Sequence, residues 1–464
     1  MGFGLFKKKT TAELVLTNGH VITMDPELPN AEAVACANGK ILCVGSMQDI
    51  EPFISTQTEV LDLKGRYLTP GWIELHSDPI PLVFRGQYLP LSETMTPQEL
   101  LPAISAFINK HPGEERYLAY GYDPGSVKEE DIPLIRQALN DAAPDTPVIL
   151  VASDGLHMIL NSLAAAAVAQ AAEELEMPAV TPALVISVLL PADIGTLLEN
   201  LAEHTFRQAR KGITAEFVLP SFSHFENIYR ELLVDAYQAD LLLQRYFGSL
   251  LVNTLLPERL VLHHMAQKNT ACAELKGLIQ FKTLFIRFSG TEGALHALEE
   301  SYLRQLCTLA ADKGYHIRMD ALDHSSALTA LSLMTEMKTS YKKSAFAVAH
   351  DEALTEEERA SFLTADIYEY SRKDTVHADR SPLNLLEDRT IRGADRLGLS
   401  QDCGSIEAGK WADLTVFEAD PTSAGNTQPD AWMTILNGRI VYDSRITTSE
   451  AWIRKIQASA FFMD

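Results

Sequence analysis

The run Thr69-Pro70-Gly71-Trp72-Ile73-Glu74-Leu75-His76-Ser77-Asp78 reads as a strand that ends in two side chains able to hold a metal. Alternate residues of a strand share a face, so His76 and Asp78 point together into whatever lies beyond its C-terminal end. An imidazole nitrogen and a carboxylate two residues apart make a natural clip for a divalent ion.

Something must carry that strand and bring other donors to it. Between residues 13 and 68 the chain alternates as strands do. Asn18-Gly19 separates Leu14-Val15-Leu16-Thr17 from His20-Val21-Ile22-Thr23-Met24, and Asn38-Gly39 precedes Lys40-Ile41-Leu42-Cys43-Val44-Gly45. Asn-Gly between apolar runs is a hairpin signal, so this part predicts a small antiparallel sheet. From about residue 95 long helices take over. Thr96 caps one, with Pro97 at its first position and Glu99 closing a capping box, and Thr355 with Glu358 repeats the arrangement. Strand-like runs lie between the helices at Val148-Ile149-Leu150-Val151, Ile213 to Leu219, Leu284 to Phe288, His316 to Asp320 and Phe346 to His350. Strands alternating with helices predict an α/β fold with a mostly parallel sheet or barrel. Past residue 400 strands return, with another Asn-Gly hairpin at Asn437-Gly438.

The 464 residues suffice for a barrel with an attached domain. A formal net charge of −23 repels phosphate backbones and anionic lipid, which argues against nucleic acid and membrane partners. The five cysteines are scattered, with no Cys-x-x-Cys pair, and read as free thiols of a reducing cytoplasm. Met1 to Lys9 is too short for a signal peptide or a span and reads as a frayed terminus.

The stretch from Pro70 to Asp78 closely resembles the first barrel strand of the amidohydrolase superfamily, Pro-Gly-aromatic-Ile-Asp-x-His-x-His. His76 matches the first histidine and Asp78 stands where the second belongs. Gly404-Ser405-Ile406-Glu407-Ala408-Gly409-Lys410-Trp411-Ala412-Asp413-Leu414 resembles a C-terminal signature of the same superfamily. Gly121-Tyr122-Asp123-Pro124, Asp154-Gly155 with Asn161-Ser162, and Gly212-Ile213-Thr214 look like its amidohydrolase 3 branch, related to N-substituted formamide deformylases. The resemblance implies a (β/α)8-type barrel, TIM-like and incomplete near its end, over residues 69–395. It also implies a small β-sandwich built from both termini, residues 1–68 and 396–445, with 446–464 left as a helix or tail.

In that superfamily a divalent metal lowers the pKa of a water, and the hydroxide attacks an amide or related carbon. The resemblance places the bridging lysine at Arg287, which stays protonated and coordinates no cation. It places the next histidine at Asp320, the last at His350, and the proton-shuttling aspartate at Asp379 within His377-Ala378-Asp379-Arg380-Ser381-Pro382. His157 falls one residue beyond the family's Asp-Gly-His position; a substrate-side role competes with a structural histidine there. Glu216 is either a bridging carboxylate or a solvated strand end, and His263-His264 reads as surface.

Two readings follow. In the first, His76, Asp78 and His350 hold one zinc, manganese or iron ion. Asp379 or Asp320 moves the proton, Arg287 grips a substrate carboxylate, and a non-peptide C–N bond of an amide, formamide or cyclic amide is hydrolysed. In the second, Arg287 replaces the metal's charge between Asp78 and Asp320, and a catalytically inactive relative binds a ligand or partner. Homodimers are common in such enzymes, and no interface is visible in this sequence.

Overall fold

A computed structural model describes residues 10–445 apart from 85–87, 93, 154–156, 178, 180–181, 190–193, 221–222, 254, 276, 292–296, 343, 351–353, 372–380 and 424–428. Its centre is a sheet of seven parallel strands: β1 (Trp72–Ser77), β2 (Ile213–Val218), β3 (Arg245–Val252), β4 (Ile279–Phe288), β5 (His316–Ala321), β6 (Phe346–His350) and β7 (Tyr368–Ser371). They lie in chain order from β1 to β7, each paired in parallel with the next. The sheet curls, because the His76 ring of β1 lies 4.7 Å from the Tyr370 ring of β7. Among the described residues this sheet has seven strands, one fewer than a closed (β/α)8 barrel.

The helices Glu300–Asp312 and His324–Ser340 follow β4 and β5 and cover the outer face. Leu303, Leu306, Leu333 and Met334 pack there against Ile286, Met319, Ala321 and Val348. The inner face carries Ile73, Leu75, Phe217, Phe247 and Phe285. Gly71 is required at the start of β1, since a Cβ there would lie 2.1 Å from the Thr214 hydroxyl. Both expected capping boxes form, at Thr96 and at Thr355.

Two expectations need correction. The run at Val148 is not part of the parallel sheet; Val148–Ala152 belongs to a separate four-stranded sheet inserted between β1 and β2. Asn18-Gly19 does not close a hairpin either. Leu14–Thr17 pairs with Ala33–Ala37 and Glu59–Asp62, whereas His20–Ile22 crosses to a six-stranded sheet that also holds Tyr67–Pro70, Leu414–Phe417, Met433–Leu436 and Arg439–Asp443. The N-terminal segment therefore feeds two sheets, one of them drawn from both ends of the chain. Asn38-Gly39 and Asn437-Gly438 do close antiparallel hairpins. No described helix is long and apolar enough to cross a membrane.

Candidate active site

The C-terminal end of β1 presents His76 and Asp78 where parallel barrels place their chemistry. His76 is half-buried, with its ring at 66° to that of Tyr370 and its backbone N–H donated to Glu74 Oε1 at 3.1 Å. Asp78 lies one residue past the strand. Solvent reaches one side of it and protein mass crowds the other; the resulting desolvation raises its carboxyl pKa, against the pull of the Ile80 N–H. Burial, with the Asp78 charge nearby, pushes the Tyr88 phenol up to about 12.

The strand end is also held from behind. Ser77 Oγ donates to Glu216 Oε2 at 3.0 Å, and His204 Nε2 lies 3.1 Å from the same oxygen. Glu216 has no exposed surface. It is thus no solvated strand end, but the buried carboxylate that ties β1 and β2 to the helix Ile194–Arg210.

At the neighbouring strand ends, Arg287 of β4 and Asp320 of β5 are register partners. Arg287 Nε donates to Asp320 Oδ2 at 2.7 Å; the Asp320 side chain is 2% exposed and that of Arg287 32%. Two residues back on the same face of β5, Arg318 is buried. Its Nε donates to Tyr370 Oη at 2.7 Å and its guanidinium lies over the Phe217 ring at 4.7 Å. His350 hydrogen-bonds through Nε2 to Glu369 Oε1 of β7. The parallel register pairs His350 with Ala321 and Glu369 with Val348, so both side chains start from the face opposite Asp320.

His76, Arg287 and Asp320 therefore share the end of the curled sheet, with Asp78 just beyond, while His350 is engaged elsewhere. His157 is exposed and immediately precedes the strand Met158–Leu160 of the separate four-stranded sheet, where its carbonyl accepts from the Ala152 N–H at 2.9 Å. His263 and His264 are exposed on the helix Glu258–Ala271. Asp379 lies outside the described residues. Among the described residues no three of His, Cys, Asp or Glu group as a metal site. With His350 bound to Glu369 on the opposite face, the residues do not fit the centre of His76, Asp78 and His350 expected in the first reading.

The sequence reading missed Arg318, Glu369 and His204. A signal existed for Arg318, since strand alternation puts it on the face of Asp320. None existed for Glu369, whose strand was not recognised.

A curled parallel α/β sheet with polar residues gathered at the C-terminal ends of its strands is the architecture of a parallel half-barrel. The sequence pattern of the amidohydrolase family matches residues 59–216 and 380–442 of this chain. Over 156 residues it is 29% identical to the exoenzymes regulatory protein AepA of Pectobacterium carotovorum subsp. carotovorum, a match covering 33% of this chain and 34% of that protein. Over 141 residues it is 26% identical to the N-substituted formamide deformylase of Arthrobacter pascens, covering 30% and 26%. Over 97 residues it is 38% identical to the 5-methylthioadenosine/S-adenosylhomocysteine deaminase of Syntrophobacter fumaroxidans, covering 20% and 22%. The matches thus span about a third or less of these relatives. An uncharacterized metal-dependent hydrolase from Pyrococcus horikoshii OT3 shares the fold, with a TM-score of 0.54 and 13% identity over 90% of this chain and 99% of that one.

Proposed function

We propose that the mouth of the barrel takes a small molecule of the class on which amidohydrolases act, an amide, formamide or cyclic amide, and that the activity is hydrolysis of its non-peptide C–N bond. What carries this reading is the placement of His76 and Asp78 at the C-terminal end of β1, inside the segment that matches the family pattern. Names among the relatives, a formamide deformylase and a deaminase of adenosine derivatives, support the same bond class. Arg287, a third exposed at the mouth, offers N–H groups to a carboxylate or carbonyl of the bound molecule. His76 and Asp78 supply two donors at that strand end, one short of a three-donor zinc, manganese or iron centre.

A second reading rests on one specific observation. The Arg287–Asp320 ion pair places a fixed cation where the family resemblance puts a bridging ligand. A protein built in that way binds its small molecule without turning it over.

Elemental analysis of protein produced with zinc, manganese and iron available, run beside a panel of amides, formamides and cyclic ureas, separates the two. Near-stoichiometric metal with release of amine or ammonia supports hydrolysis. Metal-free protein that binds panel members without product supports the second reading, and neither binding nor turnover across the panel would sink both.

A further inference from the structure

A second concavity opens at the N-terminal ends of β6 and β7, the end of the sheet opposite His76 and Asp78. This groove of about 460 Å³ is bordered by Ala345, Phe346 and Tyr368, and by the cationic side chains of Lys338, Lys342, Arg359, Arg392 and Arg396. Small-molecule sites run from roughly 300 to 1,000 Å³. Five cations on one groove form a local reversal in a chain of net charge −23.

Carboxylates neutralise only part of that charge. Lys338 Nζ lies 2.7 Å from Asp366, Arg396 lies 3.0 Å from Asp388, and Arg392 pairs with Glu387. The two other acids of the groove are also engaged, Glu369 with His350 and Asp395 as acceptor of the Ser400 hydroxyl at 3.1 Å. Lys342 and Arg359 are exposed and make no ion pair with any described residue.

Behind the groove, Ala345, Tyr368 and Arg396 also border a cavity of about 10 Å³ that Arg318 lines. Arg318 is 5% exposed; beyond the Tyr370 bond, its Nη1 donates to the Leu75 carbonyl at 3.3 Å, and its Nη2 is buried with no hydrogen-bond acceptor. No described carboxylate lies within 4 Å of it. A cavity of this size holds about one water, which solvates an N–H without cancelling the charge. An uncompensated buried charge costs several kcal/mol, and its field is weakly screened in a low-dielectric surround.

We propose that this groove binds a small multiply charged anion bearing phosphate or carboxylate groups. One anionic group sits against the Tyr368–Arg396 wall, in the field of Arg318 behind it, and another is held by Lys342 and Arg359. The site is separate from the mouth, and the proposal does not depend on what happens there.

The test is isothermal titration of the full chain with pyrophosphate and, separately, with citrate, each against sodium chloride at matched ionic strength. Saturable one-to-one binding of either anion is expected, and the stronger of the two identifies phosphate or carboxylate as the recognised chemistry. The double variant Lys342→Ala, Arg359→Ala changes only exposed side chains and keeps the fold, checked by an unshifted circular dichroism spectrum; it should weaken binding at least about tenfold. Asp78→Ala at the mouth should leave the affinity unchanged. Heats no larger than those of chloride, or binding indifferent to the double variant, would overturn the proposal.

Discussion

Arg287 on β4 and Asp320 on β5 stand side by side at the C-terminal end of the curled sheet, with Nε 2.7 Å from Oδ2. The pair is asymmetric, since the carboxylate is almost wholly enclosed and the guanidinium reaches solvent. Removing the cation takes the opposite charge away from a buried anion, whereas removing the anion leaves a guanidinium that water can solvate. Arg287→Met should therefore cost about 2–3 kcal/mol, less than the 3–5 of a fully enclosed pair, and Asp320→Asn clearly less than that. Urea denaturation with an unchanged slope measures both. Equal costs for the two variants would show that the asymmetry of exposure has no energetic consequence.

The same pair predicts how metal binding could be installed. The triple variant Arg287→Lys, Asp78→His, Asp320→His exchanges the permanently charged guanidinium for an amine that can lose its proton, and supplies imidazole donors beside His76. It should hold about one more equivalent of zinc than the native chain, read by elemental analysis after dialysis. A variant that folds as the native chain does and gains no metal would mean that the strand ends lie too far apart for shared coordination.

Much of the fold was legible because its signals are local. The Pro70-Gly71-Trp72 run sets β1, and the capping boxes at Thr96 and Thr355 mark helix starts whatever the surroundings. Strand Arg245–Val252 was missed although almost every residue in it is buried, and Tyr368–Ser371 because its four residues give too short a pattern to recognise. Asn18-Gly19 misled for a different reason. A turn fixes the local chain reversal, and whether its two flanks then pair depends on Tyr67–Pro70 and Ala33–Ala37, which compete for them. At the site, residue types single out Arg287, whose guanidinium pairs with Asp320. The engagement of His350 by Glu369 depends on a strand nineteen residues on, which no local pattern reveals.

His316, the first residue of β5, should make the protein sensitive to mild acid. Burial, aided by the Lys282 charge, pushes its imidazole down to about 4 from an ordinary 6.5. Its Nδ1 accepts the Ala345 N–H at 3.0 Å, which only a neutral ring can do. The unfolded chain thus takes up a proton that the folded chain refuses. Stability from this group is complete above about pH 6.5 and falls as the pH drops toward 4, by on the order of 3 kcal/mol. Asp78, with a raised pKa, works in the opposite sense, so the contribution is read as the difference between the native chain and His316→Gln. Denaturation midpoints of the two that keep a constant separation from pH 7.5 to 4.5 would refute the assignment.

Asp413, in the C-terminal signature run, has a structural role that its position between Ala412 and Leu414 does not announce. Its carboxylate takes Arg245 of β3 in two-point fashion, Nε to Oδ2 at 2.5 Å and Nη2 to Oδ1 at 3.0 Å, and accepts the Asn437 N–H at 2.9 Å. Arg245 is 1% exposed and lies over the Trp411 ring at 3.9 Å. The signature thereby fastens the six-stranded sheet to the parallel one through a buried ion pair. Such pairs are costly to break singly and nearly neutral to replace as a whole, because most of the loss comes from the charge left behind. Arg245→Met and Asp413→Leu should therefore each destabilise the protein by about 3–5 kcal/mol, while the double variant Arg245→Met, Asp413→Leu recovers much of that loss. Denaturant unfolding of the two single variants and the double closes the cycle. A double variant as unstable as the sum of the singles would show that the two side chains act independently and that the sheets are joined by other contacts.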